Sequence, residues 1–382
     1  MRRARAVLRS RFLGVATLIG LVGLSAVGLC GDNVWTSSGN LGSGRVNALA
    51  VDPHDPWTVY AATITGIYKT SDGGVTWRRL DAPGAPAGQT EAVAIAPNST
   101  VYAGSCGGGS GYLVRTTDGG STWTSATAGL VNTCIESLAI DPSNPLRVYA
   151  GTNAVGAPIG SSTSGVFRSI DGGATWQRRS SGIGNETVLA LAIDPTVTST
   201  LYAGLVLRGV FKSTNNGENW SVKNTGLPTV PNPFVPSVQM PPTVEAIVVD
   251  PLDPRTVYAG LFEGVFRSND GGERWTATTP PTLTNVSDLV LDPSAPLTVY
   301  ASTLSGGVAR SQDGGASWSS FSNGLTELFV TAVAIDRTGT FLYAGAVGAL
   351  RSEVFSLRIV SSRLRISLPS PRGTPRLVSP RP

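Results

Sequence analysis

A turn signature that recurs six times leaves this chain few folds to choose from. Thr70-Ser71-Asp72-Gly73-Gly74 leads to Trp77. The same Ser/Thr-x-Asp-x-Gly-x-x-Trp pattern returns around Asp118 with Trp123, Asp171 with Trp176, Asn215 with Trp220, Asp270 with Trp275 and Asp313 with Trp318. Successive tryptophans lie 46, 53, 44, 55 and 43 positions apart, the length of one propeller blade with variable loops. In such a turn the carboxylate accepts hydrogen bonds from nearby backbone N–H groups and from the Ser/Thr hydroxyl. Glycine supplies positive φ, and the indole offers a large apolar ring to pack between units.

Each turn follows two further landmarks: an apolar stretch ending in Asp-Pro, such as Ala48-Leu49-Ala50-Val51-Asp52-Pro53, and a Tyr-Ala pair. There are seven such pairs, starting at Tyr60, Tyr102, Tyr149, Tyr202, Tyr258, Tyr300 and Tyr343, against six Asp turns. Each unit therefore reads as strand a (ending Asp-Pro), strand b (Val-Tyr-Ala), strand c (Gly-Val-Phe-Arg-Ser) and strand d (starting at Trp). The seventh unit has strand a at 330–336, strand b at 341–345 and strand c at 354–360, with no Trp strand after it. The stretch 34–41 around Trp35 matches 317–325 around Trp318 in character and is expected to complete the seventh blade, leaving no sheet edge. A competing parse makes 349–352 strand c and 354–360 strand d. The expected fold is all-β: a seven-bladed β-propeller of four-stranded antiparallel blades, closed by the N-terminal strand.

The turn signature resembles the Asp-box (BNR) repeat of the sialidase-superfamily propellers, including photosystem II stability factor-like and sortilin-type repeats, over about 300 residues. That resemblance implies a propeller and does not imply a sialidase. Sialidases use an arginine cluster, a Tyr–Glu nucleophile pair and an Arg-Ile-Pro motif before the first Asp box, and no such motif occurs here. Xyloglucanase-type enzymes use related repeats but span two propellers with opposed catalytic acids, and this chain has the length of one. The six turn acids are expected to be architectural, since Asn215 can hold a turn but cannot act as a general acid.

Charged residues make up only 14% of the chain and glycines number 46, which suits short strands and tight turns. The net charge of +4 comes from the ends. Arg2, Arg3, Arg5, Arg9 and Arg11 lie at the start, and Arg358, Arg363, Arg365, Arg372, Arg376 and Arg381 at the close. Setting these eleven aside leaves 18 basic against 25 acidic residues between 31 and 356, a balance that argues against nucleic acid. Residues 1–30 read as an export signal: an Arg-rich start, then the apolar run 12–29. Cleavage after Ala26-Val27-Gly28 and lipidation of Cys30 both remain open, and a retained anchor is a third reading. Residues 31–360 form the propeller, and 361–382 a Pro-, Ser- and Arg-rich disordered tail. Export leaves Cys106 and Cys134 as a disulfide candidate, the alternative being two separate thiols.

Strand connectivity puts the a–b and c–d loops, with the Asp turns, on one face, and the b–c and d–a loops on the other. Function is expected on the second face, where the loops vary most. The longest d–a loop, 227–243, carries six prolines and Phe234, and the longest b–c insertion is 152–164. At the channel entrance, the second position of each strand a is Asn47, Glu91, Glu136, Leu189, Glu245, Ser287 or Thr331. The candidate ligand-binding residues are Asn47, Glu91, Glu136, Glu245, Asp288 and Arg45, with Glu186 nearby. Glu91, Glu136 and Glu245 are also the candidate catalytic acids, should the mouth act in the manner of a glycoside hydrolase. A hydrated channel rim is the plain alternative. His54, the only histidine, sits in an Asp-Pro turn on the structural face. No metal site, cofactor or nucleotide fingerprint is expected. The reading is an exported monomer that binds a glycan, peptide or protein without catalysis, touching a membrane only through its leader or a lipid on Cys30. The rival is a polysaccharide hydrolase or lyase.

Overall fold

The computed structural model describes residues 33–42, 44–81, 84–85, 88–106, 111–130, 134–153, 164–278, 283–348 and 352–359. The expected leader at 1–30, Cys30 and the tail at 361–382 lie outside them. The described chain is a seven-bladed propeller of four-stranded antiparallel sheets, with one extra two-stranded hairpin. Blade one is typical, with strand a at Val46–Val51, b at Val59–Thr63, c at Gly66–Thr70 and d at Arg78–Arg79. Strand b is buried along its whole length, because neighbouring blades cover both its faces. The outer strands are only two residues long in six blades, shorter than the tryptophan-led segments suggested.

Blade seven is built from both ends of the chain. Its strands a, b and c are Val330–Ile335, Phe341–Val347 and Ser352–Arg358, and Thr36–Asn40 is the outer strand. Thr36 pairs with Ser356 and Asn40 with Glu353. Trp35 is 2% exposed and holds the place of the other blade tryptophans. Its N–H meets Asn323 O at 2.8 Å as that of Trp275 meets Thr225 O at 2.9 Å. Its Nε1 donates to Phe321 O, as that of Trp275 does to Lys223 O. The closure by Trp35 therefore holds, and the parse that made 354–360 an outer strand does not. The pairing of Phe341–Val347 with Ser352–Arg358 makes that segment strand c.

The Asp turns are built as their chemistry requires. Asp171 Oδ1 accepts from Ser169 Oγ at 2.7 Å and Thr175 N at 2.9 Å, and Oδ2 from Thr175 Oγ1 at 2.6 Å. These donors, the Thr175 hydroxyl first, hold its carboxyl down at about 2. The equivalent Ser317 contacts hold Asp313 at about 2, and Asp72, Asp118 and Asp270 are lowered in the same way. Asn215 reproduces the turn, accepting from Ser213 Oγ and Asn219 N.

The turns also latch the ring. Tyr102 donates to Gly172 O at 3.0 Å, Tyr202 to Gly271 O at 3.0 Å and Tyr258 to Gly314 O at 3.1 Å, each reaching the Asp turn of the next blade. Strand c cations reach the same turns, as Lys212 does to Gly271 O and Arg168 to Asn216 O. Tyrosine in strand b thus buries its ring in every blade, and in these three blades its hydroxyl is satisfied across the seam. Blade seven offers no Asp turn to its neighbour, and in blade six the strand c cation Arg310 lies over the Phe321 ring at 4.3 Å instead.

Candidate functional site

The channel mouth is made by one backbone device used seven times. Near its start each strand a carries a β-bulge, so that one residue has no partner across the ladder. Val46 pairs with Thr63 and Ala48 with Ala62, which skips Asn47. The same shift skips Glu91, Glu136 and Leu189 in blades two to four, and Glu245, Ser287 and Thr331 in blades five to seven. All seven skipped side chains line a single cavity of about 260 Å³, which Arg45, Phe262 and Asn285 also border. The cavity opens among b–c and d–a residues, on the face away from the Asp turns.

Three members of the rim are spent on architecture. Asn47 Nδ2 donates to Thr90 O at 2.8 Å, Ser287 Oγ to Val330 O at 2.7 Å, and Thr331 Oγ1 to Val46 O, each carbonyl at the head of the next blade's strand a. The glutamates cannot donate in this way when ionised, and they give the rim its charge. Glu136 accepts from Asn153 Nδ2 at 3.2 Å, and Glu91 from Gln89 Nε2. Loss of bulk water around the strand ends pushes the Glu136 carboxyl above the ordinary carboxylate range. The Asn153 amide opposes this, the charge of Glu91 adds to it and Arg45 offsets part. Glu245 faces channel solvent, yet the packed strands around it displace enough water to push its carboxyl up as well, against the pull of Arg45.

Other expected residues lie elsewhere. Asp288 does not line the cavity: Oδ1 accepts from Leu289 N at 2.8 Å and Oδ2 from Val333 N at 3.0 Å, so it braces blade six against blade seven. Burial pushes it up to about 6. Glu186 is paired with Arg208. His54 lies in its exposed turn with Nε2 2.7 Å from Pro97 O. Phe262, Asn285 and Leu304 were not foreseen as rim residues, since their loop positions depend on the register of blades five and six.

Cys106 and Cys134 are joined by a disulfide, with Cα atoms 4.4 Å apart. Cys134 opens strand a of blade three (Cys134–Ile140), two residues before Glu136, and so ties that rim position to the b–c loop of blade two. Reduction, or Cys106→Ser with Cys134→Ser, is expected to cost about 3–4 kcal/mol for a bridge spanning 28 residues. The midpoint of thermal unfolding in the presence and absence of reductant measures it, and an unchanged midpoint would show that the loops hold without the bridge.

No family model matches this chain. The curated relatives are xyloglucanases. One from Hypocrea jecorina (strain QM6a) is 25% identical over 334 residues, covering 73% of this chain and 38% of that protein. Xyloglucanase Xgh74A of Acetivibrio thermocellus is 29% identical over 167 residues, covering 37% and 19%. The chain spans less than two fifths of the length of either. Among solved structures, YCF48 from Cyanidioschyzon merolae superposes with a TM-score of 0.58 at 13% identity, over 85% of this chain and 99% of that one. A structure of YCF48 bound to D1 peptide gives 0.59 at 14% identity, over 86% and 96%. At this identity the likeness is one of fold alone.

Proposed function

We propose that this chain is an exported, non-enzymatic β-propeller that binds its partner over the channel mouth, on the b–c/d–a loop face. The observation that carries the reading is the convergence of seven bulged positions on one cavity, with Glu91, Glu136 and Glu245 among them and Arg45 beside them. Three carboxylates and one guanidinium give a mouth that attracts a cationic group or the hydroxyls of a glycan. The two described ends support the orientation. Asn33 N lies 2.9 Å from Arg358 O, so both ends leave the ring together on the Asp-turn side. An anchor supplied by residues 1–30 would then leave the mouth facing outward. The solved complex of YCF48 with a D1 peptide shows a propeller of the same fold taking a peptide.

Binding of a cationic ligand is expected to strengthen as pH rises through and beyond the ordinary carboxylate range. The carboxyls of Glu136 and Glu245 are raised above the ordinary carboxylate range, because the strands packed around them displace water. Glu136→Gln should weaken such binding about ten-fold and flatten the pH profile, read by calorimetry between pH 4 and pH 8. The fold should not suffer. A carboxyl raised in the folded state contributes stability below its unfolded pKa that is lost as pH rises through the folded value, so its neutral isostere removes a cost at neutral pH. Unaltered affinity in Glu136→Gln would sink the reading.

A second reading, a polysaccharide hydrolase, rests on Glu91 and Glu136 lining one cavity, where burial first and the charge of Glu91 after it raise the Glu136 carboxyl toward the state of a general acid. Xyloglucanase relatives lend it weight. Release of reducing ends from xyloglucan by the wild-type chain, abolished in Glu136→Gln, would replace the binding reading with this one.

A further inference from the structure

The loop between blades four and five is not a loose Pro-rich connection. Val230–Pro231 pairs with Gln239–Met240 in a short antiparallel hairpin. Asn232 sets its tip: its Oδ1 accepts from Phe234 N at 2.8 Å and from Val235 N at 3.0 Å, and Asn232 N donates to Val238 O at 2.8 Å. The base is pinned to the b–c turn of blade four, where Gly209 N donates to Pro242 O at 3.0 Å and Leu207 N to Thr243 Oγ1 at 3.1 Å. On this ordered support Phe234 is 91% exposed, flanked by Val235 and Val238, each about half exposed. An apolar tip held out by its own backbone hydrogen bonds costs hydration and gains no intramolecular packing.

The hairpin runs directly into the mouth. Two residues after Thr243 the chain reaches Glu245, and Phe262, 63% exposed, lines the same cavity. We infer that hairpin and mouth form one continuous docking surface for a polypeptide, which seats a Lys or Arg among the rim glutamates and wraps an apolar pocket or strand around Phe234. This rests on the binding reading above and names its partner. The chemistry selects a polypeptide over a glycan. Phe234, Val235 and Val238 offer no hydrogen-bonding side chain to sugar hydroxyls, whereas an exposed aromatic beside a charged recess is the pairing of anchor and steering charge found in protein interfaces.

The test is selection of a phage-displayed random dodecapeptide library on the purified protein, with a glycan array run beside it. Enriched peptides are expected to join at least one Lys or Arg to a large apolar residue. The best of them, made synthetically, should lose at least ten-fold in affinity to Phe234→Ala with Val238→Ala, and to Glu136→Gln. Salt should shrink the second loss and leave the first. Phe234→Ala alone should give a smaller loss in the same direction. Peptide binding that ignores the hairpin variants overturns the inference and leaves the mouth reading standing if Glu136 still matters. A library that yields no basic peptide, or glycan binding that depends on Phe234, overturns it as well. Indifference of every bound ligand to Glu136→Gln removes the mouth reading itself.

Discussion

Trp35→Ala is expected to destabilise the whole ring by about 3–5 kcal/mol, the usual cost of emptying a buried indole site. The side chain is 2% exposed, stacks edge-on to Phe321 with ring centroids 6.4 Å apart, and gives its N–H to Phe321 O at 2.6 Å. At roughly 2 cal/mol/K of unfolding entropy per residue, a domain of this size should lose roughly 4–8 °C in Tm. The location of the loss matters as much as its size. Thr36–Asn40 joins two ends of the chain, so weakening it frees the outer edge of Ser352–Arg358 and leaves an unpaired strand ready to pair elsewhere. Hydrogen exchange should therefore rise first in Thr36–Asn40 and Ser352–Arg358, and the variant should aggregate on heating where the parent does not. Trp35→Phe should keep most of the packing and lose little beyond the hydrogen bond, about 1 kcal/mol. Trp57→Ala is the control. That ring is also stacked, on Phe341 across the seam between blades one and seven, but it is 40% exposed and lies outside the closing strand, so its loss should be clearly smaller. Equal effects at Trp35 and Trp57 would show that the closing strand carries no special share of the ring's stability.

What could be read before any coordinates were those features whose cause is local. The Asp turns, their spacing and the Tyr-Ala strands each encode their own geometry within eight residues. The match of 34–41 to 317–325 was enough to place Trp35, because the closing strand repeats the chemistry of the others. What escaped were features set by register between strands. The bulges that skip Glu91, Glu136 and Glu245 arise from a pairing shift against strand b, and no residue type announces them. Asp288 lies one position past its bulge, so its carboxylate turns to Val333 and not to the cavity. Phe234 was visible only as one residue in a proline-rich stretch, since the hairpin depends on Asn232 accepting from two successive backbone N–H groups. The glycines of Tyr-Ala-Gly had a signal that went unread. A Cβ on Gly204 would lie 2.8 Å from Val244 O, and one on Gly345 would lie 2.5 Å from Val46 Cγ1, so glycine there sets how closely the next strand a can approach.

A second set of glycines underlies the largest effect expected from a single methyl group. After strand d, Gly129, Gly182, Gly226 and Gly324 hold φ between +94° and +95° or, for Gly226, at +90°. Each faces the backbone carbonyl of the next blade's tryptophan. A Cβ on Gly226 would stand 2.1 Å from Trp275 O, and one on Gly324 would stand 2.2 Å from Trp35 O. The obstacle is main chain at a blade seam, already fixed by the bond from Trp275 N to Thr225 O, so no rotamer change can relieve it. Gly226→Ala is expected to cost about 1 kcal/mol for the left-handed backbone and about 1–3 kcal/mol for the forced separation of blades four and five. The two parts can be told apart within this protein. Gly184 holds φ +81° with nothing within 4 Å of its Cβ position, so Gly184→Ala should show the backbone cost alone. Gly88 has neither positive φ nor a neighbour within 4 Å, and Gly88→Ala should be neutral. Chemical denaturation of the three variants should rank them Gly226, Gly184, Gly88. If Gly226→Ala matches Gly184→Ala, the seam yields to an added methyl, and the close approach of the Trp275 carbonyl is not what sets the spacing of the blades.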